Sequence, residues 1–206
     1  MAYFEKFPLY FYGLSTNKSQ RPKIVTNVLA RAKMIDSIRE ASYVYYKYSI
    51  QDGDTPEILA SKYYDNPNRH WIILYANDIV DPVYDWPLST RDFANFIDAK
   101  YGSYANASTG IHHYEKVITK TDSLTQTVTI NKHELDYNTY SNLASSTTET
   151  INFTNGNAVT IVTTKAAVTY YDYENDLNES KRDIKIIDKS YVSQIENELT
   201  ALLAVR

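Results

Sequence analysis

The sequence predicts an α+β protein, and three observations predict it. Residues 43–50 alternate as a strand does, three helix-start signals follow in succession, and residues 103 to about 170 turn to Thr, Ser and Asn with short alternating runs. The chain has 206 residues, 43% hydrophobic and 22% charged, enough for one medium domain or two compact ones with a sizeable core. A net charge of −4 and a sequence pI near 5.6 remove the electrostatic basis for holding a phosphate backbone, so nucleic acid is not an expected partner. The absence of cysteine excludes disulfides, thiol catalysis and Cys-based zinc sites. No stretch approaches the roughly 18 apolar residues of a membrane span, and residues 1–12 lack the pattern of a secretory signal, so no membrane partner is expected. Twenty tyrosines are the unusual number. Tyr carries large contact area with a polar tip, so the enrichment points to binding before chemistry.

In chain order, residues 1–42 read as an N-terminal arm that docks elsewhere. An aromatic opening (Tyr3, Phe4, Phe7, Tyr10, Phe11, Tyr12) leads into a polar loop over 15–21. From Ile24 to Glu40, Val28, Ala32 and Ile35 have helical spacing, while Ile24-Val25 and Val28-Leu29 also suit strands. Residues 43–102 read as a compact unit. Val44, Tyr46, Tyr48 and Ile50 alternate with Tyr43, Tyr45, Lys47 and Ser49 until Asp52-Gly53-Asp54 makes a turn. Asp54 or Thr55 then caps a helix that starts at Pro56 and runs through Tyr64. Asn66-Pro67 repeats that signal for a second helix, with Trp71, Leu74 and Tyr75 on one face and an end near Asn77. Ser89 with Asp92 starts a third, carrying Phe93, Phe96 and Ile97 and stopping at Gly102.

Residues 103–170 read as a β-rich segment, with strands signalled at 126–130 and 150–162. A three-residue loop at Asn155-Gly156-Asn157 would pair Phe153 with Val159 and Ile151 with Ile161, aligning the apolar face. Residues 171–206 form a C-terminal segment ending in a helix capped by Ser190. Its seam of Val192, Ile195, Leu199 and Leu202 needs cover from the protein's own core or another chain.

In order and spacing, Tyr48-x-Ile50-x-x-Gly53-Asp54-Thr55, Ile58-x-Ala60, Trp71-x-x-Leu74, Asn77-x-Ile79 and Asp81-Pro82 resemble a LysM module. The resemblance spans 48–82 and implies a βααβ unit, here with an adjacent helix. A narrower resemblance is carried by Tyr45-Tyr46-Lys47-Tyr48, Asp54-Thr55-Pro56-Glu57, Tyr84-Asp85-Trp86-Pro87-Leu88 and Asn178-Glu179-Ser180-Lys181-Arg182-x-Ile184-Lys185. These are similar to the LysM-containing baseplate wedge subunits of contractile-tailed bacteriophages. That family implies a structural, non-enzymatic protein of the virion, assembled in the host cytoplasm and partnered by other baseplate wedge and tail proteins. Residues 103–170 match nothing in it.

Two sets of site residues follow. The resemblance makes Gly53, Asp54, Thr55, Asn77, Asp78 and Ile79 the loops of a candidate LysM groove, with peptidoglycan or chitin as the alternative partner, although turn and cap roles explain the same residues. Tyr10, Phe11, Trp86, Val192, Ile195, Leu199 and Leu202 are candidate subunit-interface residues; Trp86 suits a core equally well. No catalytic residues, cofactor or metal are expected. His112 and His113 would face opposite sides of a strand and so could not share a metal. Asp78, Asp81 and Asp85 lack EF-hand spacing and read as turn formers.

Overall fold

The computed structural model describes residues 7–12, 23–27, 43–154 and 156–204. In chain order these form β1 (Leu9–Tyr12), β2 (Lys23–Thr26), β3 (Tyr45–Ser49), α1 (Pro56–Tyr64), a short 3-10 turn (Pro67–Arg69), α2 (His70–Ala76), α3 (Thr90–Tyr101) and α4 (Tyr104–Thr109). There follow β4 (Ile111–Asp122), β5 (Val128–Leu135), α5 (Tyr137–Asn142), β6 (Ser146–Asn152), β7 (Ala158–Thr169), α6 (Tyr170–Ser180), β8 (Asp183–Ile187) and α7 (Lys189–Ala204). The mixture of helices and antiparallel sheets is the α+β class the sequence predicts. The chain divides into two units, Met1–Ser89 with Ser180–Arg206, and Thr90–Glu179. The second is therefore inserted into the chain of the first.

In the first unit, β1 and β2 form an antiparallel pair from Leu9↔Thr26 to Tyr12↔Lys23. Of the two readings open for 24–40, the strand holds at its start; residues 28–40, like Tyr3, Phe4 and the polar run 15–21, lie outside the described residues. β3 forms where the alternation predicts it. Its partner is β8, antiparallel from Tyr45↔Ile187 to Ser49↔Asp183. Asp188 N–H to the Val44 carbonyl (2.8 Å) and Ile50 N–H to the Arg182 carbonyl (2.9 Å) prolong the pairing at both ends. The second strand of the βααβ order thus comes from beyond the insertion and not from within 48–82. Residues 80–85 cannot supply it because they close on themselves. The Asp85 carboxylate accepts from Asp81 N–H (3.1 Å), that of Asp81 from Val83 N–H (2.9 Å), and Asp85 N–H reaches the Asp81 carbonyl (2.8 Å).

Local signals placed the helices of this unit well. The Thr55 hydroxyl caps α1 by accepting from Ile58 N–H (3.3 Å), and the Asn66 side chain opens the 3-10 turn by accepting from Asn68 N–H (2.9 Å). Leu59 from α1, Ile72 and Ile73 from α2, and Ile186 from β8 are fully buried in one cluster. α7 closes that cluster with Val192, Leu199 and Leu203. Its start is capped by Asp188, not Ser190: the Asp188 carboxylate accepts from Ser190 N–H (2.8 Å) and its hydroxyl (2.6 Å). Lys189 is already helical, so Ser190 sits in the first turn, where N–H groups need an acceptor. Arg69 clamps α7 through both Glu196 oxygens (3.0 and 3.2 Å).

In the second unit, α3 stops at Gly102, whose φ of +80° suits a residue without Cβ. The sheet order is β5-β4-β7-β6, antiparallel throughout. The register of β6 on β7 places the turn one residue earlier than expected: Phe153 N–H reaches the Asn157 carbonyl (2.9 Å), Ile151 opposes Val159 and Glu149 opposes Ile161. Asn157 is pulled out of the loop because its side chain is held by the β4–β5 turn, where its carbonyl oxygen accepts from the Ser123 hydroxyl (2.7 Å) and Leu124 N–H (3.1 Å). A Cβ on Gly110 would lie 2.7 Å from the Tyr170 ring, so close packing fixes glycine there. Buried Glu174 on α6 is satisfied by α3, accepting from Lys100 Nζ (2.6 Å) and the Tyr101 hydroxyl (2.7 Å), and its carboxyl is held below the ordinary value despite desolvation.

Because β8 completes the first unit's core, Ile186→Ala should cost about 3 kcal/mol. Urea denaturation followed by tryptophan fluorescence reads it, since both tryptophans, Trp71 and Trp86, lie in that unit. A loss under about 0.5 kcal/mol, the size of a surface substitution, would mean β8 is not core.

Candidate functional site

Of the two loops named from the sequence, 53–55 follows the end of β3 and 77–79 lies along the outer edge of β8, and their polar groups are spent on the fold. Gly53 takes φ of +86° in the turn after β3. The Asp54 carboxylate accepts from Tyr48 hydroxyl (2.7 Å) and Gln51 N–H (2.9 Å), while its backbone carbonyl accepts from the Trp86 indole N–H (2.9 Å). Of the two residues offered for the cap, Thr55 takes it and Asp54 ties the turn. In the other loop, Asn77 donates to the Ile73 and Lys185 carbonyls (both 2.8 Å) and accepts from Lys185 N–H (2.7 Å). That amide covers the outer edge of β8, supplying both halves of a missing ladder partner. Asp78 turns the chain with φ of +54°. An open depression is lined by Asn77, Asp78, Ile79, Asp85, Lys181 and Asp183. The structure therefore joins the 77–79 loop to tail residues that were not singled out as site residues, while Gly53, Asp54 and Thr55 do not line it. Only the long-range β3–β8 pairing brings the tail there.

The candidate interface residues separate into two groups. Trp86 is 8% exposed and belongs to the core, its indole N–H satisfied by Asp54, so it is not a free surface anchor. Val192 and Leu199 are buried in the protein's own core and Ile195 packs against it, so the seam is covered internally; the 7-residue step from Val192 to Leu199 continues to Leu203, also buried. Leu202 stays outside at 64% exposed. By contrast Tyr10 and Phe11 are exposed at 61% and 71%. With them stand Leu9, Tyr12 and Ile24, so both strands of the β1–β2 pair show apolar side chains to solvent. Ile24-Val25 was visible in the sequence as a strand; its pairing with the aromatic run was not.

Chemistry is sparse. Among the described residues no group of three or more His, Cys, Asp or Glu is placed to hold a metal, and no helix is long and apolar enough to cross a membrane. Asp81 and Asp85 serve as turn acceptors, as their spacing suggested. His112 and His113 do not point to opposite faces: the register shift between Ile111 and His113 is a bulge that brings their Nδ1 atoms to 2.9 Å.

The apolar surface of the arm and the engagement of the loop side chains within the fold are the features to set beside known proteins. Residues 2–202 match the family of base plate wedge protein 53. The chain belongs to that family. It is also 30% identical over 79 residues to baseplate wedge protein gp53 of Enterobacteria phage T4, a stretch that is 38% of this chain and 40% of the relative. The chain thus matches about two-fifths of that relative's length. The family match takes in the β-rich insertion, which the motifs quoted from the sequence did not reach.

Two outcomes follow from this family member's loops. Asn77→Ala strips partners from both Lys185 backbone groups and should lower stability by about 2 kcal/mol in urea melts; an unchanged midpoint would leave the edge cover without consequence. The Tyr48 hydroxyl is pushed up to about 12, first by its hydrogen bond to Asp54 and then by desolvation. An unfolded tyrosine titrates at about 10, so this contribution is complete below pH ~10 and is lost as pH rises toward 12. Tyr48→Phe should flatten part of the alkaline fall in the urea midpoint, and a slope identical to wild type would refute the coupling.

Proposed function

We propose that this chain is a structural subunit of a phage tail baseplate wedge, joining neighbouring wedge proteins through its β1–β2 arm. It works without catalysis or cofactor, within the virion, after assembly in the host cytoplasm. One observation carries the reading: Leu9, Phe11 and Ile24 are 70%, 71% and 61% exposed on a two-stranded ribbon, while Phe7 beside them is 5% exposed in the first unit's core. An isolated ribbon of two short strands is marginal in water. Apolar groups on both its strands gain most by being covered, and contiguous exposed apolar surface marks an interaction site. Phe7 moors the arm, and the LysM-like strand–helix–helix–strand unit serves as the scaffold that holds it.

The peptidoglycan reading ranks second because Asp54, Thr55 and Asn77, whose polar groups would meet a saccharide, are engaged in the turn, the cap and the strand edge. Nothing should be retained on pelleted peptidoglycan beside a glycan-binding control.

Phe11→Asp with Ile24→Asp should abolish incorporation when the chain is co-expressed with the other wedge proteins of its phage. The tryptophan-monitored melt should stay within about 0.5 kcal/mol of wild type, as for surface substitutions. Normal incorporation of that folded variant would overturn the arm's role.

A further inference from the structure

The bulge at the start of β4 creates a feature that the wedge role does not use. Its extra residue puts His112 and His113 on one side of the strand, Nδ1 to Nδ1 at 2.9 Å. Both rings are held. The His112 imidazole stacks on the Tyr173 ring at 3.8 Å and 9°, with Tyr170 edge-on at 5.6 Å. His113 turns its other nitrogen, Nε2, toward the buried carboxylate of Glu115 at 3.9 Å, and that carboxylate is also faced by Lys132 Nζ at 3.5 Å. The negative charge nearest Nε2 favours the ring proton there, which leaves the Nδ1 lone pair of His113 aimed at His112. Carboxylates beside the far nitrogen of a histidine ligand orient it in metal sites; here Glu115, at 3.9 Å, acts on His113 by charge and not by a hydrogen bond.

We propose that His112 and His113 bind one divalent transition cation through their two Nδ1 atoms. The cation replaces the hydrogen bond between the two nitrogens and sits off the line joining them, where a separation of 2.9 Å permits bonds of about 2 Å to both. His112 shifts its own proton to Nε2, so no net proton is released. Two neutral imidazoles and no thiolate select Cu2+, Ni2+ or Zn2+ over Mg2+ or Ca2+. Among the described residues no third His, Cys, Asp or Glu joins the pair, so water fills the remaining positions. His112 is exposed, which gives the ion its entry. The inference is independent of the wedge reading.

The test is titration of the full chain with Cu2+ against glycine as a competing chelator, read by calorimetry and electron paramagnetic resonance. One equivalent should bind with hyperfine coupling to two imidazole nitrogens. His112→Asn and His113→Asn should each weaken it at least about tenfold, and Glu115→Gln by about tenfold, the range for groups that orient a ligand. His70→Asn and His133→Asn should leave it unchanged. No saturable binding, or binding indifferent to His112→Asn and His113→Asn, would overturn the site and leave a hydrogen-bonded pair. Should those variants misfold, diethyl pyrocarbonate labelling of the wild-type chain decides: Ni2+ must protect His112 and His113 but not His133, and equal labelling with and without Ni2+ would refute the proposal.

Discussion

The first unit depends on a strand pair whose members lie on either side of the insertion. β3 alone has a half-apolar face and no ladder; β8 supplies the ladder, three isoleucines for the core, and the approach to α7. Asn77 fixes where β8 lies, because one amide answers both the N–H and the C=O of Lys185, 108 residues away in sequence. Take that amide away and β8 is a bare edge on one side and a two-stranded ribbon on the other, which water competes for. The core of α1 and α2 would then lose its floor.

An insertion of this length between paired strands would be costly if it were slack, although closure entropy grows only with the logarithm of loop length. The insertion is not slack. Its first helix, α3, and its last, α6, are tied by Glu174 to Lys100 and Tyr101, and Phe93 meets Tyr171 edge-on at 5.8 Å. With the two helices that begin and end the insertion joined through Glu174, the inserted chain is a folded body and not a slack loop. An ionised carboxylate in that position is tolerable because two donors satisfy it.

The sequence made local structure legible and long-range structure illegible. Caps at Thr55 and Asn66, the glycine stop at 102 and the turn at Gly53 depend on residues within a few positions, and each landed where its chemistry required. β8 was not foreseen as the partner of β3, because nothing in the residues 48–82 announces that the second strand is missing. The bulge at His112 was equally hidden, since a bulge is set by the register of the strand opposite, here β7. The one-residue error in the β6–β7 turn has the same origin: Asn157 reads as a turn residue until the β4–β5 turn captures it. At the candidate loops the local partners, Tyr48 and Gln51 for the Asp54 carboxylate and Ile58 for Thr55, are readable from neighbouring residues, whereas the hold of Lys185 on Asn77 and of Trp86 on the Asp54 carbonyl lies outside any local pattern.

That last point bears on what the molecule is built to meet. A saccharide is recognised by polar groups left open at a surface, and at these loops the amide of Asn77, the carboxylate of Asp54 and the hydroxyl of Thr55 are each engaged within the fold. Protein partners are recognised by apolar and aromatic area left open, and the β1–β2 arm leaves much of it so. The C-terminal seam makes the contrast sharper. Its apolar stripe looked equally fit for a partner, yet Val192 and Leu199 turn inward while Phe11 and Ile24 do not. On the proposed reading, the apolar area that the arm leaves exposed is the part of the chain whose burial the protein's own core does not supply, and covering it would contribute hydrophobic free energy to assembly.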